Sequence, residues 1–214
     1  MKFYTIKTPS IIQRLFSSYT WRFSSSKKEV YLTFDDGPTL EVTNFILDEL
    51  RKHNAKATFF CIGKNVKSHP EIYQQIVKEG HAVGNHTFHH LKGIKTKNHT
   101  YLDDTKHASA YIHSQLFRPP YGKIKSSQGK MLQQSDYQIV MWDVLSGDFD
   151  LSVTPEECLE NVLKHTTNGS IIVMHDSLKA KEKIFYALPR ILDHFTKKGI
   201  QFKAIPGGFS FSRE

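Results

Sequence analysis

Thr33-Phe34-Asp35-Asp36-Gly37-Pro38 puts two adjacent carboxylates and a turn glycine directly after an apolar run, Val30 to Phe34. The run reads as a buried strand, and a carboxylate pair on a rigid strand end is not explained by solvation alone. Some fifty residues later, His86-Thr87-Phe88-His89-His90 sets two imidazoles four positions apart, a spacing that a helical turn would bring onto one face. Two histidines and one carboxylate make a three-ligand zinc site with a position open for water. The spacing is that of the helix-borne pair in zinc proteases, but no glutamate follows the first histidine, so a base has to come from elsewhere. Asp35 is the candidate, because beside a ligand it can take a proton from a water that the metal activates. The plainer reading is a pair of solvated turn carboxylates, since extended neighbours point opposite ways unless Gly37 and Pro38 bend the strand end.

Two later segments carry complementary groups. Arg118-Pro119-Pro120-Tyr121-Gly122 is a rigid, non-helical turn whose guanidinium can hold a carboxylate bidentately and keep it ionised. A loop salt bridge is an equal reading of the arginine alone. The same turn leaves the Tyr121 amide to point into a cleft as an oxyanion donor. Ile171-Ile172-Val173-Met174-His175-Asp176 runs a buried strand into a histidine placed to protonate a leaving group, although a lone histidine there is more often structural. His89 faces away from the ligand pair in this reading, and His81, His99, His107 and His113 are surface residues.

Apolar runs of strand length alternate with helical patterns, which argues for a parallel sheet. Strands are expected at Val30 to Phe34, Ala57 to Ile62, His81 to Gly84, Leu116 to Arg118, Gln138 to Trp142, Ser170 to Met174 and Gln201 to Ile205. Helices fall near Leu40 to His53, Glu71 to Glu79, Thr100 to His113, Ser126 to Gln134, Pro155 to Thr166 and Ile184 to Lys198. Asp35, His86, Arg118, Asp143 and His175 all come at or just after strand ends. In a parallel barrel those ends converge on one rim, whereas an open doubly wound sheet would gather ligands at a single switch point. Contributions from so many strands favour a closed or nearly closed α/β barrel in one domain.

At 214 residues the chain has room for a substantial core. A net charge of +8 favours polyanionic surroundings such as nucleic acid, anionic lipid or a wall polymer. The lysines are dispersed, and without an aromatic-and-basic motif a nucleic-acid partner is not expected. Cys61 and Cys158 lie in apolar or helical patterns and read as buried free thiols. The first residues lack the apolar stretch of a cleaved leader, and no run is long enough to span a membrane. A cytoplasmic location is the literal reading. Ile11, Ile12, Leu15, Phe16 and Tyr19 recur at roughly helical spacing, so residues 1–27 are an extension carrying a short amphipathic helix. It either packs on the domain or rests on a membrane or cell surface.

Taken together, the order and spacing of these segments resemble the polysaccharide deacetylases with a NodB-homology domain, carbohydrate esterase family 4. The resemblance spans Lys28 to about Ile205, so residues 28–214 form the deacetylase domain. Its T-F-D-D-G motif is Thr33 to Gly37, its H-[ST]-x-x-H motif is His86 to His90, and its R-x-P-x-G motif, in a close variant, is Arg118 to Gly122. The resemblance implies a distorted (β/α) barrel of about seven parallel strands, TIM-barrel-like, acting as a monomer on an acetylated glycan. It assigns Asp35 as catalytic base and Asp36, His86 and His90 as ligands of a divalent metal, zinc first, with cobalt, nickel or manganese as alternatives. Arg118 would orient Asp35, Tyr121 would give an amide to the oxyanion, and His175 would be the acid. The fourth motif, D-x-x-D-W, falls on Leu145-Ser146-Gly147-Asp148-Phe149. A leucine thus stands where the family aspartate tethers the acid histidine, leaving Asp143 or Asp148 to replace it. The expected activity is removal of N-acetyl groups from a peptidoglycan or chitooligosaccharide. The alternatives are a catalytically weakened carbohydrate-binding protein and an O-acetyl, xylan-type esterase.

Overall fold

Along residues 4–207, the described part of the computed structural model, strands and helices alternate. The outermost ends of the expected extension and domain, residues 1–3 and 208–214, lie outside the described residues. A short helix α1 (Ser10–Leu15) precedes β1 (Glu29–Asp35), α2 (Leu40–Lys52), β2 (Thr58–Cys61), α3 (Gly63–Ser68) and α4 (Pro70–Lys78). There follow β3 (Ala82–Asn85), α5 (Asn98–Ser109), β4 (Leu116–Phe117), α6 (Ser126–Gln134), β5 (Gln138–Ile139) and β6 (Val144–Leu145). The chain then forms α7 (Pro155–His165), β7 (Ile171–His175), α8 (Lys181–Lys197) and β8 (Gln201–Phe202). Helix α7 starts as its sequence requires: Thr154 and Glu157 form a reciprocal capping box, with Pro155 in the first turn.

The strands pair in the order β5-β4-β3-β2-β1-β7-β6, all parallel, with β8 added against β1. The two ends of that order, β5 and β6, are consecutive in the chain and separated only by residues 140–143. At about 3.6 Å per residue their facing ends lie within roughly 18 Å. The sheet is therefore curled into the distorted barrel expected. This also corrects the strand expected over Gln138 to Trp142: its first residues are β5, and the rest crosses to the opposite edge, where β6 begins.

The gap between the edges is not empty. Lys7 bridges Val144 antiparallel and Thr20 bridges Val140 parallel. Leu145 N–H donates to Ile6 O (2.8 Å), Thr8 N–H to Asp143 O (2.9 Å) and Met141 N–H to Thr20 O (2.8 Å). Asp143 is spent here, on Lys7 Nζ (2.7 Å) and Ser170 Oγ (2.6 Å). Between these anchors α1 buries none of its residues, and Ile11 and Leu15 are 62% and 72% exposed. Among the described residues, no helix is long and apolar enough to cross a membrane.

Period-two alternation sorts the central strands. On β1, Val30, Leu32 and Phe34 join the large cluster against α2, α7 and α8, while Tyr31 belongs to the smaller cluster with Phe60, Leu116, Val140, Ile171 and Ile205. Thr33 and Asp35 share the Tyr31 side of the strand. On β7, Ile172 and Met174 pack into the large cluster, leaving Ile171, Val173 and His175 on the other face. The face against α2, α7 and α8 is thus largely apolar, and on β1 and β7 the other face ends in Asp35 and His175 at the carboxyl ends.

Candidate active site

Asp35 and His175 are direct Cα partners at the ends of β1 and β7. Arg118, just after β4, is fully buried and reaches Asp35: Nη1 donates to Asp35 Oδ1 and to Thr33 Oγ1, both at 2.7 Å. Its Nε and Nη2 donate to the carbonyls of Val140 (3.2 Å) and Met141 (3.0 Å). Phe60 lies beneath the guanidinium, 4.0 Å from ring centroid to Cζ. Burial lowers the Arg118 pKa, with Asp35 opposing the shift. An arginine starts so high that it stays charged.

Asp36 points elsewhere because the chain turns at Asp36 itself, where φ is 86°. The turn begins at Asp36 and includes the expected Gly37 and Pro38, joined by a cis peptide, and Gly37 serves a further purpose. A Cβ there would lie 1.8 Å from Asp176 Oδ2, so only glycine allows that approach. Asp176 accepts from the Gly37 amide (2.8 Å) and from Thr43 Oγ1 (2.7 Å). Asn65 Nδ2 donates to Asp36 O (2.7 Å). Burial pushes the Asp176 pKa up to about 7 against those hydrogen bonds.

His86 and His90 come together without a helix, correcting the helical turn expected from their spacing. The chain after β3 folds back through left-handed residues, Thr87 (φ 63°) and His90 (φ 58°). Asp104, on α5, is the pin: Oδ2 accepts from the amides of Phe88 (2.9 Å) and His89 (3.0 Å), and Oδ1 meets His89 Nδ1. Asp104→Ala should lower the affinity for added zinc by about tenfold to a hundredfold, read by calorimetric titration of the metal-free protein. Unchanged affinity would remove Asp104 from this supporting role.

The donor set suits a divalent metal. Asp36 Oδ1 lies 3.2 Å from His90 Nε2 and 3.7 Å from His86 Nε2, and one ligand atom from each lies within 4.8 Å of the others. Burial first, then His90, pushes the His86 pKa down to about 4, with Asp35 and Asp36 opposing. The ring is therefore neutral. Its Nδ1–H donates to the Arg118 carbonyl at 2.7 Å, leaving the Nε2 lone pair toward Asp36. Burial would raise the Asp36 pKa, but the His90 hydrogen bond and the nearby His175 and His86 rings hold it well below the usual range.

Across the site, His175 Nδ1 lies 2.8 Å from Asp148 Oδ1, while the His175 amide donates to Oδ2 at 2.6 Å. The tether is thus Asp148. Leu145 is an ordinary buried strand residue, and Asp143 faces the seam instead. Burial alone would lower the His175 pKa, but Asp148, then Asp36 and Asp35, outweigh it and push it up to about 10. The ring carries a proton at neutral pH. Phe149 packs edge-on against it at 5.3 Å.

Tyr121 is 57% exposed and left-handed (φ 61°), its ring 4.6 Å from that of His90 and 5.4 Å from Lys92 Nζ. His89 turns to Asp104, away from the triad, as its position suggested. His81 is no surface residue: it is buried, near the Ala57 amide (3.3 Å), and burial with Lys56 pushes its pKa down to about 4. Cys61 and Cys158 are buried free thiols.

Comparison with known proteins converges on one family. The family model described as polysaccharide deacetylase matches residues 23–140. A peptidoglycan-N-acetylglucosamine deacetylase of Bacillus cereus is 36% identical over 205 residues, covering 92% of this chain and 74% of the relative. A second protein of that description from the same species is 34% identical, covering 87% and 90%. Among solved structures, the Bc1960 peptidoglycan N-acetylglucosamine deacetylase, in complex with 4-naphthalen-1-yl-N-oxidanyl-benzamide, superimposes with a TM-score of 0.81. The identity is 35%, and 92% of this chain and 95% of that one are covered. The chain belongs to the polysaccharide deacetylase family, carbohydrate esterase family 4, and is a hydrolase of that kind.

Proposed function

We propose that the protein removes acetyl groups from an N-acetylated glycan, releasing acetate and leaving a free amine. The observation that carries this reading is the pairing of Asp35 and His175 on adjacent strand ends, one joined to a guanidinium and the other to a carboxylate. Two titratable groups with opposite partners are suited to opposite proton transfers. Asp36, His86 and His90 would hold a divalent metal, zinc by preference for two imidazole nitrogens and a carboxylate oxygen. Bound there, it would supply Lewis acidity to water and to the acetamide carbonyl.

Asp35 accepts the proton of the attacking water, its carboxylate aimed by Arg118. The Tyr121 amide donates to the oxyanion that develops on the carbonyl oxygen. His175, protonated through Asp148, gives its proton to the departing nitrogen. The reading of a weakened carbohydrate-binding protein drew on the leucine at 145, and the Asp148 tether removes that motive. The relatives' peptidoglycan and the net charge of +8 support an anionic wall glycan as substrate.

Acetate release from N-acetylated peptidoglycan fragments, chitooligosaccharides and O-acetylated xylan, with and without chelator, tests the proposal. Release from an N-acetylated glycan, lost on chelation and restored by zinc, is expected. No acetate from any of them, or release from xylan alone, would sink it.

A further inference from the structure

The proton-donating side of the site continues into a part of the chain that the family match leaves out. The family model begins at residue 23, yet Ile6 to Thr8 run beside β6, held by the isolated antiparallel Lys7–Val144 bridge and by the Ile6 and Thr8 backbone hydrogen bonds. Just ahead of that bridge, the Tyr4 hydroxyl donates to Asp150 Oδ2 at 2.8 Å. It also stands 3.5 Å from where a Cβ of Gly147 (φ 82°) would lie. The Tyr4 ring packs on Phe149 at 5.1 Å, tilted by 58°, and Phe149 packs edge-on against His175 at 5.3 Å. Tyr4 therefore contacts the two residues that follow Asp148, the residue that tethers His175, and its hydroxyl stands close to Gly147 before it.

We propose that Tyr4 is a positioning residue for the acid side of the site, fixing Phe149 and the Gly147–Asp150 loop so that His175 is held in one orientation. The inference rests on the deacetylase reading only in assigning a reaction to His175. The physical case is local. A histidine that must deliver a proton to a departing atom loses rate steeply when it drifts, and Phe149 adds an edge-on ring contact to the Asp148 hydrogen bond that holds it. Phe149 is itself only partly buried. Without Tyr4, its ring loses one of the two aromatic neighbours it has among the described residues and is freer to leave the imidazole.

The experiment compares Tyr4→Ala with Tyr4→Phe in the full chain. Tyr4→Ala should lower kcat for acetate release about tenfold while KM changes less than twofold, because the substrate-facing surface stays intact. Tyr4→Phe keeps the ring on Phe149 and should retain at least half of the wild-type kcat. Where Tyr4→Ala does not fold, Tyr4→Leu carries the same comparison, filling the space without an aromatic face. The second readout needs no substrate: the ring-proton NMR shifts of His175 should move in Tyr4→Ala or Tyr4→Leu and stay in Tyr4→Phe, because the Phe149 ring current is lost only in the former. If the wild type releases no acetate, the deacetylase reading falls and these shifts alone decide the positioning role. Unmoved shifts, or a Tyr4→Ala enzyme with wild-type kcat, would overturn it.

Discussion

Asp35→Asn is expected to lower kcat by about a thousandfold while the protein still takes up its metal, because the substitution removes the proton acceptor and leaves Asp36, His86 and His90 untouched. Asparagine keeps an oxygen for Arg118 Nη1, so the 2.7 Å contact has a successor. What it cannot keep is the charge. Arg118 is fully buried and would lose its counter-ion, at a cost of about 3 kcal/mol in stability. Steady-state kinetics with metal analysis checks the first part, and thermal denaturation the second. Retained acetate release in a metal-loaded Asp35→Asn protein would remove Asp35 as the base.

Asp148→Asn should act through His175. In the wild type burial is outweighed by Asp148 together with Asp36 and Asp35, which push the His175 pKa up to about 10, so the acid stays charged through neutral pH and is lost only as pH rises toward that value. Without the carboxylate, burial is less opposed and the proton leaves at lower pH. The expected result is a fall in kcat of about a hundredfold at pH 8, with the alkaline limb of the pH–rate profile displaced toward acid and partial recovery at lower pH. Stability follows the same sign. The folded pKa lies above the unfolded value near 6.5, so the pair's contribution is full below that value in the wild type and is lost as pH climbs toward 10. A profile that keeps its alkaline limb in place would detach Asp148 from the acid.

The residues proposed as ligands and base stand out in the sequence because each ends or follows a strand within a few residues. Tyr31, Thr33 and Asp35 alternate along β1, and His175 ends a run that alternates in the same way. The barrel was legible from the same runs. Asp148 was only one of two alternatives, since which aspartate reaches His175 depends on where β6 starts, and two-residue strands such as Val144–Leu145 leave no periodic signal. The spacing of four in the histidine loop is misleading, because such a spacing is helical only when backbone hydrogen bonds follow it, and here Asp104 takes the Phe88 and His89 amides instead. Asp104, Asn65 and Asp176 carry no motif of their own, and their roles come from contacts far along the chain. His81 has no partner pattern in the sequence, which makes it read as a surface residue, yet it is buried just before β3 and accepts from the Ala57 amide.

The seam between β5 and β6 also sets an order of events. Lys7 finds its carboxylate 136 positions later, and the neighbouring Arg22 bridges Ser170. On a ribosome the segment before β1 emerges long before the residues it pairs with at the seam have been made, whereas β1, β2 and β3 can associate as they appear. That segment is thus seated late, after most of the barrel strands exist.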